Sequence, residues 1–226
     1  MTDETLITLA TRYKADKWNL HWYAQHYDTY FQKFRNQKIN LLEIGVGGYA
    51  DTKAGGESLR MWKAYFPNAL IHGIDIYDKK SLEEARIKVF QGSQDDAAFL
   101  TDTFKTIGSL DIIVDDGSHV NSHIITSFNT LFPLLNDGGI YAIEDIQTSY
   151  WPKYGGSSYL YDDTKTVMKY FKRLVDGLNY VEYQRPHEPT YYDKNIFAIH
   201  FYHNLIVIHK NKNDESCILP WDGDGI

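Results

Sequence analysis

The chain has 226 residues, 43% hydrophobic, 15% aromatic and 23% charged; at ~150 residues per domain it reads as one domain with additions, long enough to bury about 70% of the surface an unfolded chain exposes. Lys and Arg number 23 and Asp and Glu 30, a net charge of −7 with the signs interspersed, which argues against nucleic acid, whose binding needs clustered cations on phosphates. Mean hydropathy of −0.44, no apolar run near 18 residues, no basic-apolar leader at Met1-Thr2-Asp3-Glu4-Thr5 and a lone Cys217 argue against a membrane span, a secretion signal, an internal disulfide and a thiolate zinc site, so the sequence reads as soluble and cytoplasmic.

Residues 4–36 carry Tyr13, Trp18, Trp22, Tyr23, Tyr27, Tyr30, Phe31 and Phe34 and read as helices laid across a sheet or a cleft, so 1–36 is a helical cover. Short runs rich in Ile, Leu and Val, each closed by Gly or Asp, predict buried strands at 41–46, 70–76, 87–90, 111–114 and 139–143. Helical spacing lies between them: Leu59, Trp62, Lys63 and Phe66, then Phe99, Leu100 and Phe104, then Ile124, Phe128, Leu131 and Leu135. Alternation of this kind predicts an α/β fold with a doubly wound parallel sheet, because parallel neighbours need helical crossovers. A helical stretch at 162–178 leads to 196–210, a terminal hairpin or pair of antiparallel edge strands. Residues 147–161 are aromatic, contain glycines and show no period, as expected of a lid or substrate loop within a single catalytic domain.

Glu43-Ile-Gly45-Val-Gly47-Gly48 closes the first strand. Glycines there let backbone N–H groups approach a ligand without Cβ interference, although turn glycines alone give the same pattern. Asp75 ends the second strand 28 residues after Gly47, where an acid can accept both hydroxyls of a ribose at the switch point of the sheet. The spacing departs from the dinucleotide fingerprint, and no helix start follows directly, since 49–59 with Gly55-Gly56-Glu57-Ser58 intervenes. Glu43 suits a cationic ligand, so a nucleoside with positive charge is expected.

Asp115-Asp116-Gly117-Ser118-His119 ends the fourth strand and Glu144-Asp145 the fifth, neighbouring strand ends in a parallel sheet. Carboxylates converging there repel unless a cation or protons intervene. Asp116, Glu144 and Asp145 offer hard oxygen ligands for Mg²⁺, with Mn²⁺ or Ca²⁺ as alternatives; capping of the following helices is the simpler reading. Glu144 and Asp145 share a cation only if the strand bends between them, since adjacent strand residues face opposite ways. His119 suits a base poised near neutrality for a hydroxyl proton, or else a surface histidine.

A Glu-x-Gly-x-Gly strand end with an acid on the next strand resembles the class I S-adenosylmethionine-dependent methyltransferases. The resemblance implies a Rossmann-like, seven-stranded, mostly parallel sheet with an antiparallel C-terminal strand. It places Glu43, Gly45 and Gly47 around the methionine end of the cofactor, Asp75 on the ribose and Ser93, Gln94 and Asp95 by the adenine, with Ser58 and Asp116 as further cofactor-binding residues. The runs 9–18, 42–49, 56–63, 115–119, 127–133 and 143–151 together are similar to the metal-dependent sugar O-methyltransferases of macrolide tailoring. In that family the acids matching Asp116, Glu144 and Asp145 bind Mg²⁺ and the histidine matching His119 is the base. Its members carry a further N-terminal region, and this sequence reads as the catalytic domain. The expected partner is a small hydroxylated glycoside, stacked on aromatics such as Tyr150 and Trp151, with a homo-oligomer left open. A catechol-type O-methyltransferase, a nicotinamide-dependent oxidoreductase and a non-catalytic ligand-binding module are the competing readings.

Overall fold

The structure, a computed structural model, describes residues 4–159 and 165–217. Its centre is a seven-stranded sheet formed by β1 (Asn40–Ile44), β2 (Leu70–Asp75), β3 (Ile87–Gln91), β4 (Leu110–Asp115), β5 (Leu135–Glu144), β6 (Ile196–Tyr202) and β7 (Leu205–Lys210). The strand order is β3-β2-β1-β4-β5-β7-β6. β1 to β5 pair in parallel, and β7 runs antiparallel between β5 and β6. The expected hairpin is therefore present, with its second strand inserted inside its first, so that β6 alone forms that edge.

The helices are α1 (Leu6–Tyr13), α2 (Ala24–Phe31), α3 (Glu57–Tyr65), α4 (Ala97–Ile107), α5 (Asn121–Leu131), α6 (Val167–Asp176) and the short α7 (Tyr191–Asn195). They divide between the faces of the sheet according to strand alternation. Leu41, Ile71, Ile112, Val114, Ile140 and Val207 pack with α1, α2 and α3. Leu42, Ile74, Ile113, Tyr141, Ile143 and Ile208 pack with α4, α5 and α6. Strands buried on both faces carry near-continuous apolar runs rather than alternation, which is why β1, β2 and β4 were legible as short Ile/Leu/Val blocks. β5 is longer than its apolar part, because the polar Asn136-Asp137-Gly138 start joins the ladder through a register shift opposite Leu110 to Ile112.

Local chemistry starts the helices. The Thr5 side chain accepts from Thr8 N at 3.3 Å and Asp96 from Ala98 N and Phe99 N at 3.0 Å, satisfying donors that the first turn leaves open. The N-terminal aromatics are largely core: Tyr27, Phe31 and Trp62 are fully buried with ring centroids 4.9 to 5.7 Å apart, whereas Trp22 stays exposed. The helix expected at 162–178 occupies Val167–Asp176, and 162–164 lie outside the described residues.

Residues 147–161 are ordered as far as they are described, as two short 3₁₀ turns at Ile146–Tyr150 and Pro152–Tyr154. Buried Asn121 ties them down, donating to Thr148 O at 3.1 Å and Tyr154 O at 2.8 Å and accepting from Val167 N at 2.7 Å. Residues 160 and 161 lie outside the described region. Among the described residues no helix is long and apolar enough to cross a membrane.

Candidate active site

The C-terminal ends of β1, β2, β4 and β5 open into a cleft of about 750 Å³. Gly45 leaves β1 with φ +91°, and a Cβ there would fall 2.1 Å from the carbonyl oxygen of Asp116. Only glycine lets the glycine loop and the acid-bearing turn after β4 lie this close. Gly47, φ +79°, is different: an added Cβ would meet nothing nearer than Gly55 Cα at 3.8 Å, so its backbone is bare toward the cleft. Asp75 Oδ2 accepts from Val46 N at 3.0 Å and Oδ1 from Tyr77 N at 2.9 Å. These bonds fix the carboxylate and leave acceptor capacity on both oxygens.

Gln94 and Asp115 shape the turn after β4. Buried Asp115 accepts from Gln94 Nε2 at 2.6 Å, Ser127 Oγ at 2.5 Å and Tyr141 OH at 3.3 Å. Burial pushes its pKa up to about 6 against these donors. Gln94 Oε1 in turn accepts from Ser118 N at 2.9 Å, so this side chain is committed to the protein while it borders the cleft. Ser93 bonds Asp95. His119 stands in the left-handed region at φ +57°, with Nε2 3.6 Å from Asp145 Oδ2.

β5 ends at Glu144, and Asp145 turns left-handed at φ +53°, so the strand bends between the two acids. Asp145 lines the cleft; its Oδ1 accepts from Tyr23 OH at 2.7 Å and lies 3.8 Å from His21 Nδ1. Burial opposes its charge, but the Tyr23 hydroxyl and the neighbouring imidazoles hold its pKa below the ordinary carboxylate value. Glu144 is buried below the cleft, accepting from Tyr27 OH at 2.7 Å with Lys17 Nζ at 3.0 Å. Burial, reinforced by Asp116, raises its pKa well above normal, with Lys17 pulling the other way. Glu43 is also buried; Ser58 Oγ donates to it at 2.7 Å and Lys17 lies at 3.4 Å. Its pKa is pushed up to about 7, by burial first, against the pull of Lys17.

The structure thus brings Gly45, Gly47, Ser58, Asp75, Ser93, Gln94, Asp116, His119 and Asp145 to one cleft. Asp116, His119 and Asp145 each offer a ligand atom within 4.8 Å of the others, a donor set able to hold a metal ion. Glu43 and Glu144 lie outside the cleft lining and Glu144 outside that donor set, one layer down around Lys17. Tyr150 and Trp151 do not line the cleft either and are 37% and 49% exposed, while Tyr154 of the same segment does. Sequence reasoning missed Lys17, His21, Tyr23 and Tyr27, all from the N-terminal cover. The available signal was a lysine inside an aromatic, otherwise buried stretch, with Tyr23 and Tyr27 one helical turn apart.

A bare glycine loop, an acid at the end of the next strand and further acids at the two strand ends beyond are arranged as in a class I methyltransferase fold. No family model matches the sequence, but in sequence the chain is a relative of sugar O-methyltransferases of glycosylated natural products. It is 47% identical over 212 residues to an 8-demethyl-8-alpha-L-rhamnosyl tetracenomycin-C 2'-O-methyltransferase of Streptomyces olivaceus, covering 92% of this chain and 55% of that protein. It is 44% identical over 219 residues to a mycinamicin VI 2''-O-methyltransferase of Micromonospora griseorubida, covering 96% and 55%. A solved structure of MycE methyltransferase with Mg, SAH and mycinamycin VI superimposes with a TM-score of 0.93 at 44% identity, covering 98% of this chain and 57% of that one. The chain spans about half the length of the curated relatives it matches.

Proposed function

We propose that this chain is the catalytic domain of a cytoplasmic, S-adenosylmethionine-dependent O-methyltransferase that methylates a sugar hydroxyl of a glycosylated natural product and uses a hard divalent cation. The observation that carries this reading is the placement of Asp116, His119 and Asp145 at the strand ends facing the glycine loop and Asp75 in one cleft. The residues fit both groups. Gly47 leaves a cradle that a side chain would fill, Asp75 keeps acceptor capacity for a ribose diol, and the acids offer carboxylate oxygen, as Mg²⁺ or Mn²⁺ prefers, with the His119 imidazole beside them kept for the proton. Asp116 and Asp145 would hold the cation, with Glu144, whose carboxylate shares the Lys17 ammonium with Asp116, as the third acid.

When bound, the sulfonium cofactor supplies the activated methyl group and the cation lowers the pKa of the acceptor hydroxyl. The chain's own residues do the rest. The glycine loop and Asp75 set the direction of the cofactor, and in-line placement of oxygen, methyl and sulfur lowers the barrier by orientation. His119 Nε2 takes the hydroxyl proton as the methyl passes from sulfur to oxygen, and Asp145 beside it orients the ring and stabilises the imidazolium. The leaving thioether is neutral, so no general acid is needed. Exposed Leu20 and Tyr49 at the cleft mouth give an apolar rim for the aglycone.

Calorimetry tests the class directly. S-adenosylmethionine should bind one to one to the Mg²⁺-supplied protein and NADH should not; NADH binding alone would make it an oxidoreductase. Methylation of a rhamnosyl or related glycoside should stop in EDTA and return with Mg²⁺, and full turnover in excess chelator would refute the role of the cation.

A further inference from the structure

Lys17 lies inside the acid cluster. Its side chain is 1% exposed, its ammonium bonds Asp116 Oδ2, and Glu144 Oε2, Glu43 Oε1 and Asp16 Oδ1 follow at 3.0, 3.4 and 3.5 Å. Glu43 and Glu144 are as deeply buried as the lysine. Glu43 Oε1 has no close hydrogen bond among the described residues, and Lys17 at 3.4 Å is the positive charge that faces it, with the Trp62 indole as a weaker polar neighbour. Carboxylates taken out of water without a counter-charge are strongly disfavoured. Both glutamates also have anchors independent of Lys17, because Ser58 holds the other oxygen of Glu43 and Tyr27 the other oxygen of Glu144, each at 2.7 Å. Hydroxyls fix the orientation of these acids, and the lysine fixes their charge balance.

We propose that Lys17 is a built-in counter-cation that sets how strongly the cleft takes a divalent ion, an inference that rests on the cation reading above. The ammonium and the ion share Asp116 and compensate one cluster, so each weakens the hold of the other, and a partly buried site screens their repulsion poorly. The cluster therefore holds together without the ion, and the ion binds against a standing positive charge. Lys17 is a positioning residue that acts through Asp116 and Glu144.

Lys17→Met keeps much of the side-chain volume and removes the charge. Titrated calorimetrically with MgCl₂, the variant should bind Mg²⁺ at least ~10-fold more tightly than the wild type. Its Tm should lie below the wild-type Tm in EDTA, and saturating Mg²⁺ should raise it by more than it raises the wild-type Tm. An unchanged or weaker Kd, or a Tm loss equal in both media, would reduce Lys17 to packing and overturn the inference. Should the variant not fold, Lys17→Met/Glu43→Gln measured against Glu43→Gln makes the same comparison with one fewer uncompensated carboxylate. Wild-type protein that takes up no Mg²⁺ would overturn the cation reading and this inference together; wild-type uptake with the same Kd in the variant overturns the Lys17 role alone.

Discussion

Gly45→Ala perturbs the site from a position that carries no chemistry. The new Cβ would lie 2.1 Å from Asp116 O, and such contacts are essentially never shorter than 3.0 Å, so the end of β1 and the turn after β4 must part by at least 0.9 Å. Two bonds resist that movement, Gly45 N to Ile74 O at 2.8 Å and Asp116 N to Ile44 O at 2.9 Å. Losing the second costs about 1 kcal/mol, and a non-glycine residue at φ +91° adds roughly 1–2 kcal/mol, for a total near 2–3 kcal/mol. The catalytic effect should be larger, because Asp116 moves with its backbone and a misplacement of about 1 Å can cost ~100-fold in rate. Gly47→Ala is the control. Its φ is equally unfavourable but its Cβ meets only Gly55 Cα at 3.8 Å, so it should lose only the roughly 1–2 kcal/mol of backbone strain and weaken cofactor binding while Mg²⁺ affinity stays unchanged. Urea denaturation, Mg²⁺ calorimetry and steady-state kinetics of the two variants decide the matter. Equal effects of Gly45→Ala and Gly47→Ala on Mg²⁺ affinity and kcat would refute the close-approach reasoning.

His119→Ala should lower kcat at least ~100-fold and leave the Kd for S-adenosylmethionine nearly unchanged; an unaltered kcat would return His119 to a surface role. Acid should weaken the fold through His72, whose pKa burial lowers to about 4, with Lys88 adding to the effect. The unfolded chain takes up this proton near pH 6.5 and the folded chain only near 4, so the stability present above pH 6.5 is lost as the pH falls toward 4. The loss amounts to roughly 3 kcal/mol between pH 7 and 4. Denaturation across that range should show the wild type losing this much more than His72→Gln, and parallel curves would refute the assignment.

The glycine loop and Asp75 were legible because their signals are local: a strand end, a tight turn and an acid closing the next strand. The Asp116 to His119 turn and Asp145 were legible for the same reason, since parallel strand ends open on one side of a sheet. Glu144 was legible as an acid at the same strand end, but its depth was not, because the bend at Asp145 and the contacts with Lys17 and Tyr27 set it one layer below the cleft. Tyr150 and Trp151 depend on the tertiary arrangement in another way. Their segment borders the cleft, and the 3₁₀ turns pinned by Asn121 bring Tyr154 into its lining while Tyr150 and Trp151 stay outside it.

By itself, then, the sequence determined the alternation of strands and helices, the parallel sheet and the acid-bearing strand ends, all consequences of periodicity and turn chemistry within a few residues. The tertiary structure decided which acids share a layer. Lys17 meets Asp116 across 99 residues of chain and Tyr27 meets Glu144 across 117, contacts that no local pattern encodes. They form because α1 and α2 close one face of the sheet, and the charges buried there need partners that only the folded chain can bring within hydrogen-bonding distance.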